Sequence, residues 1–417
     1  MNSGKYYLFS FLLIFLSQIV NAQNYSRYNW YFGNSQYGII FNKSDDQPNQ
    51  TDTQATPFGN GASAVATDRI SGDLLFYTDG EYVYDATHTI MFNWTGLNGN
   101  TSANQSVAIS PKPNSPGQFF IFTNTANYPG SGNIFVSTVN MNSDGNATSP
   151  EPPLGELILE NFPALVPPIQ VSPGMLVFEY MNFYFLLVQD FTTGEYKLYR
   201  IDGNNRVLIK TLPNPSNIIA ANFSFHPGTG QIAVSPNNQG ANIQILQFDP
   251  SVDTLGFVQE IPNSGNFDTA NEAIYDVEWS PDGTKIFISR FGDGTQEGIL
   301  YRYDLTNPTA SLDQVNPSSL FRSLGVQIGP DGRIYHLYQE NNGGPIRVGR
   351  ITNPNDSLVS NIVYQSVPLG NDDFASSQFP AFSPKAPIVF SPNTFEIVNQ
   401  NTCESSPTKF FPDFDPP

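Results

Sequence analysis

The stretch I-Y-D-V-E-W-S-P-D-G-T-K-I-F-I-S-R, Ile274 to Arg290, followed by G-I-L-Y-R-Y-D-L from Gly298 to Leu305, decides the fold. Apolar and polar residues alternate, the chain turns at Pro-Asp-Gly, and the alternation resumes. Period two is the signature of a half-buried strand. The unit recurs as L-G-V-Q-I-G-P-D-G-R-I-Y-H-L-Y (Leu324–Tyr338), leading into I-R-V-G-R-I from Ile346. It recurs again as A-N-F-S-F-H-P-G-T-G-Q-I-A-V-S from Ala221, leading into I-Q-I-L-Q-F-D from Ile243. Each copy reads as strand, tight turn, strand and a short outer strand. Repeats of this length build β-propellers.

The turn glycines set the period. Gly230 and Gly283 lie 53 residues apart, Gly283 and Gly332 49, and Gly332 and Pro384 in F-P-A-F-S-P 52. Upstream, Gly72 and Gly117 lie 45 apart, and the 113 residues from Gly117 to Gly230 hold two units, with the intervening turn near Met181–Phe183. A four-stranded blade takes roughly 40–50 residues. The expectation is therefore an all-β, seven-bladed β-propeller from about Tyr28 to Phe390. Turns of this type ask for positive φ, which glycine accepts without strain, so Gly283 and Gly332 read as backbone requirements. The last unit, Phe379–Phe382, lacks partner strands, and the N-terminal W-Y-F-G and Y-G-I-I-F-N runs lack an inner strand. We therefore expect ring closure by pairing of N- and C-terminal strands, Trp30–Asn42 with Gln378–Phe390.

Composition agrees. The 417 residues include 33 Phe and 20 Tyr, which suit pleated surfaces, and 33 Gly and 34 Pro to punctuate them. Residues 1–22 read as a signal peptide: Lys5 supplies the positive end, Tyr6–Val20 includes the apolar run, and Val20-Asn21-Ala22 the cleavage site. Cleavage after Ala22 leaves Gln23 first, with residues 23–390 as the propeller and 391–417 as a linker and tail. No later stretch is long enough to cross a membrane as a helix, so an integral membrane protein is not expected. The formal net charge of −19 becomes −20 once Lys5 is removed, and no basic cluster offsets it, which argues against nucleic acid as a partner. Cys403 is the single cysteine, so no internal disulfide forms.

Chemistry is sparse. His88, His226 and His336 fall in three different units, too scattered for a metal site, and each reads as structural. No G-x-S-x-G elbow occurs. The pairs Asp45-Asp46 and Asp372-Asp373 offer loop carboxylates for Ca²⁺ without EF-hand spacing, and no cofactor or catalytic residue is singled out. Candidate ligand-binding residues near inner-strand ends are Asp79, Gln105, Asp276 and Gln378. The competing reading is that these side chains tie blades together, since buried polar groups need partners.

Several motifs carry a family resemblance: W-Y-F-G-N-S-Q-Y-G-I-I-F-N from Trp30, G-D-L-L-F-Y-T-D-G from Gly72, N-Q-S-V-A-I-S-P-K-P from Asn104, F-F-I-F-T from Phe119, Y-D-V-E-W-S-P-D-G from Tyr275 and S-S-Q-F-P-A-F from Ser376. Together they resemble the N-terminal region of large secreted proteins of Bacteroidetes, of the PKD-repeat, gliding-motility-associated kind. The resemblance implies a propeller-like region followed by PKD-type β-sandwiches and a sorting domain for type IX secretion. The tail F-F-P-D-F-D-P-P is similar to the opening of a truncated PKD repeat, and no sorting domain is present in these residues. It also implies O-glycosylation at Thr254, Thr269 and Ser357, each in an Asp-Ser/Thr-apolar tripeptide expected in a loop. The expected function is an exported recognition or adhesion module for a surface polysaccharide or an envelope protein. The alternative is a glycan-active hydrolase or lyase using carboxylates at the channel mouth.

Overall fold

The computed structural model describes residues 24–383, apart from 52–60, 237–240, 262–273, 308–311, 368–375 and shorter gaps of one or two residues. The signal segment, Thr269, Asp372-Asp373, Cys403 and the tail lie outside the described residues. The rest forms seven sheets, antiparallel but for one short parallel pairing, arranged as the blades of a propeller. Blade 1 covers residues 29–51, blade 2 64–85, blade 3 107–163, blade 4 171–212, blade 5 220–261, blade 6 274–314 and blade 7 322–366. Blade 1 has three strands; blade 2 has three of its own and a fourth, Ala381–Phe382, from the C-terminal segment; each of the others has four.

Sequence alternation maps directly onto the sheets. In blade 6 the strand Ile274–Trp279 pairs with Lys285–Arg290 so that Trp279 faces Ile286, with Pro-Asp-Gly between them. Blade 7 repeats the arrangement with Ile328 opposite Ile334. The turn glycines adopt the predicted backbone: φ is 72° at Gly72, 74° at Gly117, 70° at Gly230, 69° at Gly283 and 68° at Gly332. Blade 4 turns between Tyr180 and Phe183, as its hydrophobic run required. Outside each repeated strand pair and its third strand lies a fourth strand, such as Thr254–Ile261, that the repeat motif did not contain.

Two of these turns differ in surroundings, which separates backbone strain from crowding. A Cβ at Gly332 would meet nothing closer than Pro281 Cγ at 4.0 Å, whereas one at Gly283 would lie 2.8 Å from both His226 Cε1 and Thr229 Cγ2. Gly332→Ala is expected to lose about 1 kcal/mol, the cost of a side chain at positive φ. Gly283→Ala should lose roughly twice that, because the blade 5 turn must also shift. Equal urea midpoints for the two variants would contradict this reading.

The core lies between the blades. Trp30, Phe32 and Phe41 of blade 1 bury against Leu324, Tyr335 and Leu337 of blade 7, and Phe379 completes the cluster. Blades 5 and 6 join through Ala233, Ile243, Val277 and Trp279. Closure does join the two ends, through a different strand from the one expected. Ala381–Phe382 pairs in parallel with Ala64–Thr67 of blade 2, while Trp30 and its neighbours pair only within blade 1 among the described residues. The C-terminal segment thus lies beside a neighbouring inner strand, since inner strands of adjacent blades run parallel around the axis. It still contacts blade 1 through rings: Trp30 sits 5.1 Å from Phe379 and 5.9 Å from Phe382.

Candidate functional site: the central cavity

The inner strand of a blade is a sheet edge, with one set of backbone N–H and C=O groups unclaimed by its own sheet. Here buried polar side chains claim many of them. Asn124 Nδ2 donates to the carbonyl of Ser172, joining blades 3 and 4. Gln189 donates to the Ile218 carbonyl and accepts from Ala220 N–H, joining blades 4 and 5. Asn222 donates to the Tyr275 carbonyl at 2.9 Å, joining blades 5 and 6. Asp276 Oδ2 accepts from Val326 N–H at 2.9 Å, and Glu278 Oε2 accepts from Ile328 N–H at 3.1 Å, joining blades 6 and 7.

These strands surround a cavity of about 430 Å³ on the propeller axis. Its lining runs from Ser63 and Gln105 at one end to Pro227, Pro281 and Ser383 at the other, where the exposed Asn24 borders it. Three of the four predicted residues reach this cavity: Gln105, Asp276 and Gln378. Gln105 bonds both the N–H and the carbonyl of Phe223, each at 2.9 Å, and so ties blade 5 to the segment entering blade 3. Asp79 is not among the lining residues. It follows the second strand of blade 2, not the inner one, and its Oδ1 accepts from the N–H groups of Glu81 and Tyr82 to shape a turn.

Asp276 and Glu278 project from one strand at positions two apart, hence to the same side. Both are buried. Burial pushes the Asp276 carboxyl up to about 8, against hydrogen bonds from Val326, Val277 and Asn222. Burial also raises Glu278, opposed by donors from Ser224, Trp279 and Ile328 and by the Arg27 charge. Each Glu278 oxygen is occupied: Oε1 accepts from Ser224 Oγ and Trp279 N–H, Oε2 from Gln327 Nε2 and Ile328 N–H.

Arg27, like Asn222 and Glu278, is a lining residue that the sequence reading missed. It precedes the first strand, in a segment with no repeat, and its half-buried guanidinium lies 5.9 Å from the Phe382 ring centre. Burial lowers its pKa, and the Glu278 charge opposes this. Two other lining residues leave a buried atom unpartnered among the described residues. Asn222 Oδ1 has no donor, because its Nδ2 is the atom that faces the Tyr275 carbonyl and Asp276. Gln378 Nε2, beside the Tyr275 hydroxyl, meets no acceptor in hydrogen-bond geometry.

The histidines are held in the frame. His336 is fully buried between Ser323 Oγ at 2.8 Å and the Tyr364 hydroxyl at 3.0 Å, and burial lowers its pKa to about 3. His226 ends its strand, with Nε2 3.1 Å from the Pro281 carbonyl of the next blade. His88 contacts the Tyr77 hydroxyl at 3.1 Å. No group of three potential metal ligands occurs among the described residues. Of the loop acids, Asp45 accepts from Gln47 N–H and Asp46 from the Tyr28 hydroxyl. Ser357 is exposed beside Asp356, whereas Thr254 opens the outer strand of blade 5 instead of lying in a loop.

No family model matches the chain, and no curated protein shows significant similarity to it. Similar solved structures do exist. A crystal structure of a Lactobacillus plantarum protein has a TM-score of 0.52 and 12% identity, over 85% of this chain and 99% of that one. A candidate 6-phosphogluconolactonase from Bacteroides uniformis has a TM-score of 0.49 and 13% identity, over 82% of this chain and 95% of that one. Another from Bacteroides fragilis has a TM-score of 0.48 and 14% identity, over 85% and 97%. Likeness at these identities concerns architecture alone: the chain is an all-β protein with the fold of a seven-bladed β-propeller.

Proposed function

We propose that this chain is an exported recognition module that binds a glycan or an envelope protein at the cell surface. The observation that carries the reading is the commitment of carboxylates and carboxamides on or beside the two innermost strands to backbone groups of neighbouring blades. A hydrolytic pair needs one carboxyl free to give a proton and another free to attack or activate water. Glu278, with both oxygens occupied by donors, is placed as a strut. What remains is a shaped polar cavity on a rigid ring, which suits binding. The motif resemblance supports export and a surface location.

The full chain, purified and applied to a glycan array, should bind a subset of polysaccharides, and incubation with those hits should release no shorter products. Product release would favour the second reading, a glycan hydrolase or lyase. The feature favouring that reading is Asp276, whose carboxyl is pushed up to about 8 and so holds a proton at neutral pH. Failure to bind any glycan would direct the search to envelope proteins.

A further inference from the structure

We propose that a stack of aromatic rings in blade 2 carries single oxidising equivalents from Trp94 at the surface to Tyr77 inside, where His88 takes the phenol proton. This would be a redox activity, independent of the ligand-binding reading above. The stack is built by strand geometry. Tyr77 and Tyr84 lie directly opposite each other on paired strands, with ring centres 5.3 Å apart and planes 22° apart. Tyr82 is two positions before Tyr84 and so shares its face, at 6.2 Å and 20°. Trp94, in the loop beyond that strand, stacks on Tyr82 at 4.7 Å and 22°. Tyr31 of blade 1 stacks on Tyr77 at 4.6 Å and 18°. Near-parallel rings this close overlap through their π faces, which lets an electron pass from ring to ring.

The two ends differ in the way such a path requires. Of the three tryptophans, Trp30 and Trp279 are 0% and 1% exposed, and Trp94 is half-buried, so an oxidant in solution reaches Trp94 first. Tyr77 is wholly buried, and its hydroxyl lies 3.1 Å from His88 Nδ1. Burial lowers the His88 pKa against the pull of Asp85, so the imidazole is neutral at neutral pH. With the ring proton on Nε2, Nδ1 accepts from the phenol. The oxidant removes one electron from the Trp94 indole and is itself reduced. An electron from Tyr77 then refills Trp94 through Tyr84 and Tyr82. As Tyr77 loses it, the O–H bond breaks and the proton moves to His88 Nδ1. The products are intact Trp94, a neutral tyrosyl radical and an imidazolium. Proton loss spares the interior a buried cationic ring. The indole N–H keeps its own proton, donated to the Glu81 carbonyl at 2.8 Å.

Pulse radiolysis of the full chain with the azide radical, a one-electron oxidant, tests this. Indolyl absorption should form first and decay as tyrosyl absorption rises, at one shared rate independent of protein concentration. Trp94→Phe should remove the indolyl signal. Tyr82→Leu should abolish the shared phase. Tyr77→Phe keeps the ring but not the hydroxyl, so the tyrosyl rise should be lost while circular dichroism stays unchanged. His88→Asn, suited to the φ of 64° at that position, should lower the tyrosyl yield. If Tyr82→Leu fails to fold, Tyr77→Phe and His88→Asn carry the test. A shared phase that survives Tyr77→Phe or Tyr82→Leu would overturn the path. So would an indolyl radical that decays only by reaction between molecules. An unchanged yield in His88→Asn would overturn the assignment of the proton.

Discussion

Trp30→Ala should cost about 3–5 kcal/mol, the range for emptying a fully buried aromatic site. Trp30 is wholly buried, with ring centres of Phe41 at 4.8 Å, Tyr335 at 5.1 Å and Phe379 at 5.1 Å. These neighbours come from blade 1, blade 7 and the C-terminal segment, so one side chain holds three parts of the ring together. Its indole N–H also donates to the Arg27 carbonyl at 2.8 Å, which positions the arm that enters the cavity. The control is Phe162→Ala, on the outer strand of blade 3 and 53% exposed, where a change within about 0.5 kcal/mol is expected. Guanidinium unfolding followed by tryptophan-independent circular dichroism reads both. A loss below about 1 kcal/mol for Trp30→Ala would mean that the ring does not close through this cluster.

Folding stability should fall as pH rises from about 4 to about 8, and Asp276→Asn should flatten much of that slope. The Asp276 carboxyl is raised from 3.8 to about 8 by burial, so the folded chain keeps a proton that the unfolded chain has lost. Stability from this group is fully present below its unfolded value near 3.8 and is lost as pH climbs through 8. Glu278 is shifted in the same direction, also by burial, and adds to the trend. Each pH step in the window costs at most about 1.4 kcal/mol per such group. Asparagine keeps the shape and an acceptor oxygen for Val326 N–H but cannot ionise. Urea midpoints at pH 4, 6 and 8 check the result. An unchanged slope in Asp276→Asn would show that this proton is not held in the folded ring.

Some of this architecture was legible from short stretches. Pro281-Asp282-Gly283 and Pro330-Asp331-Gly332 announced hairpins, because a turn's φ demand is a property of a few adjacent residues. The runs around Val277 and Ile286 announced strands, because the two faces of a strand alternate with period two. The outer strands were less legible. Asn205–Leu212 is largely exposed or half-buried, so burial imposes little pattern on it. Gln105, Asp276 and Gln378, nominated for lying near inner-strand ends, do line the cavity, whereas Asp79, nominated on the same ground, follows the second strand of its blade.

By itself, then, the sequence determined the strand pairs, their turns and the number of units, since each depends on local backbone geometry repeated about every fifty residues. Only the tertiary structure decided which ends meet. It set Ala381–Phe382 against Ala64–Thr67, Gln105 against Phe223 and Arg27 beside Phe382. Those contacts arise from the summed rotation of seven blades packing around one axis. Residues hundreds of positions apart become neighbours there, and no local pattern encodes that sum.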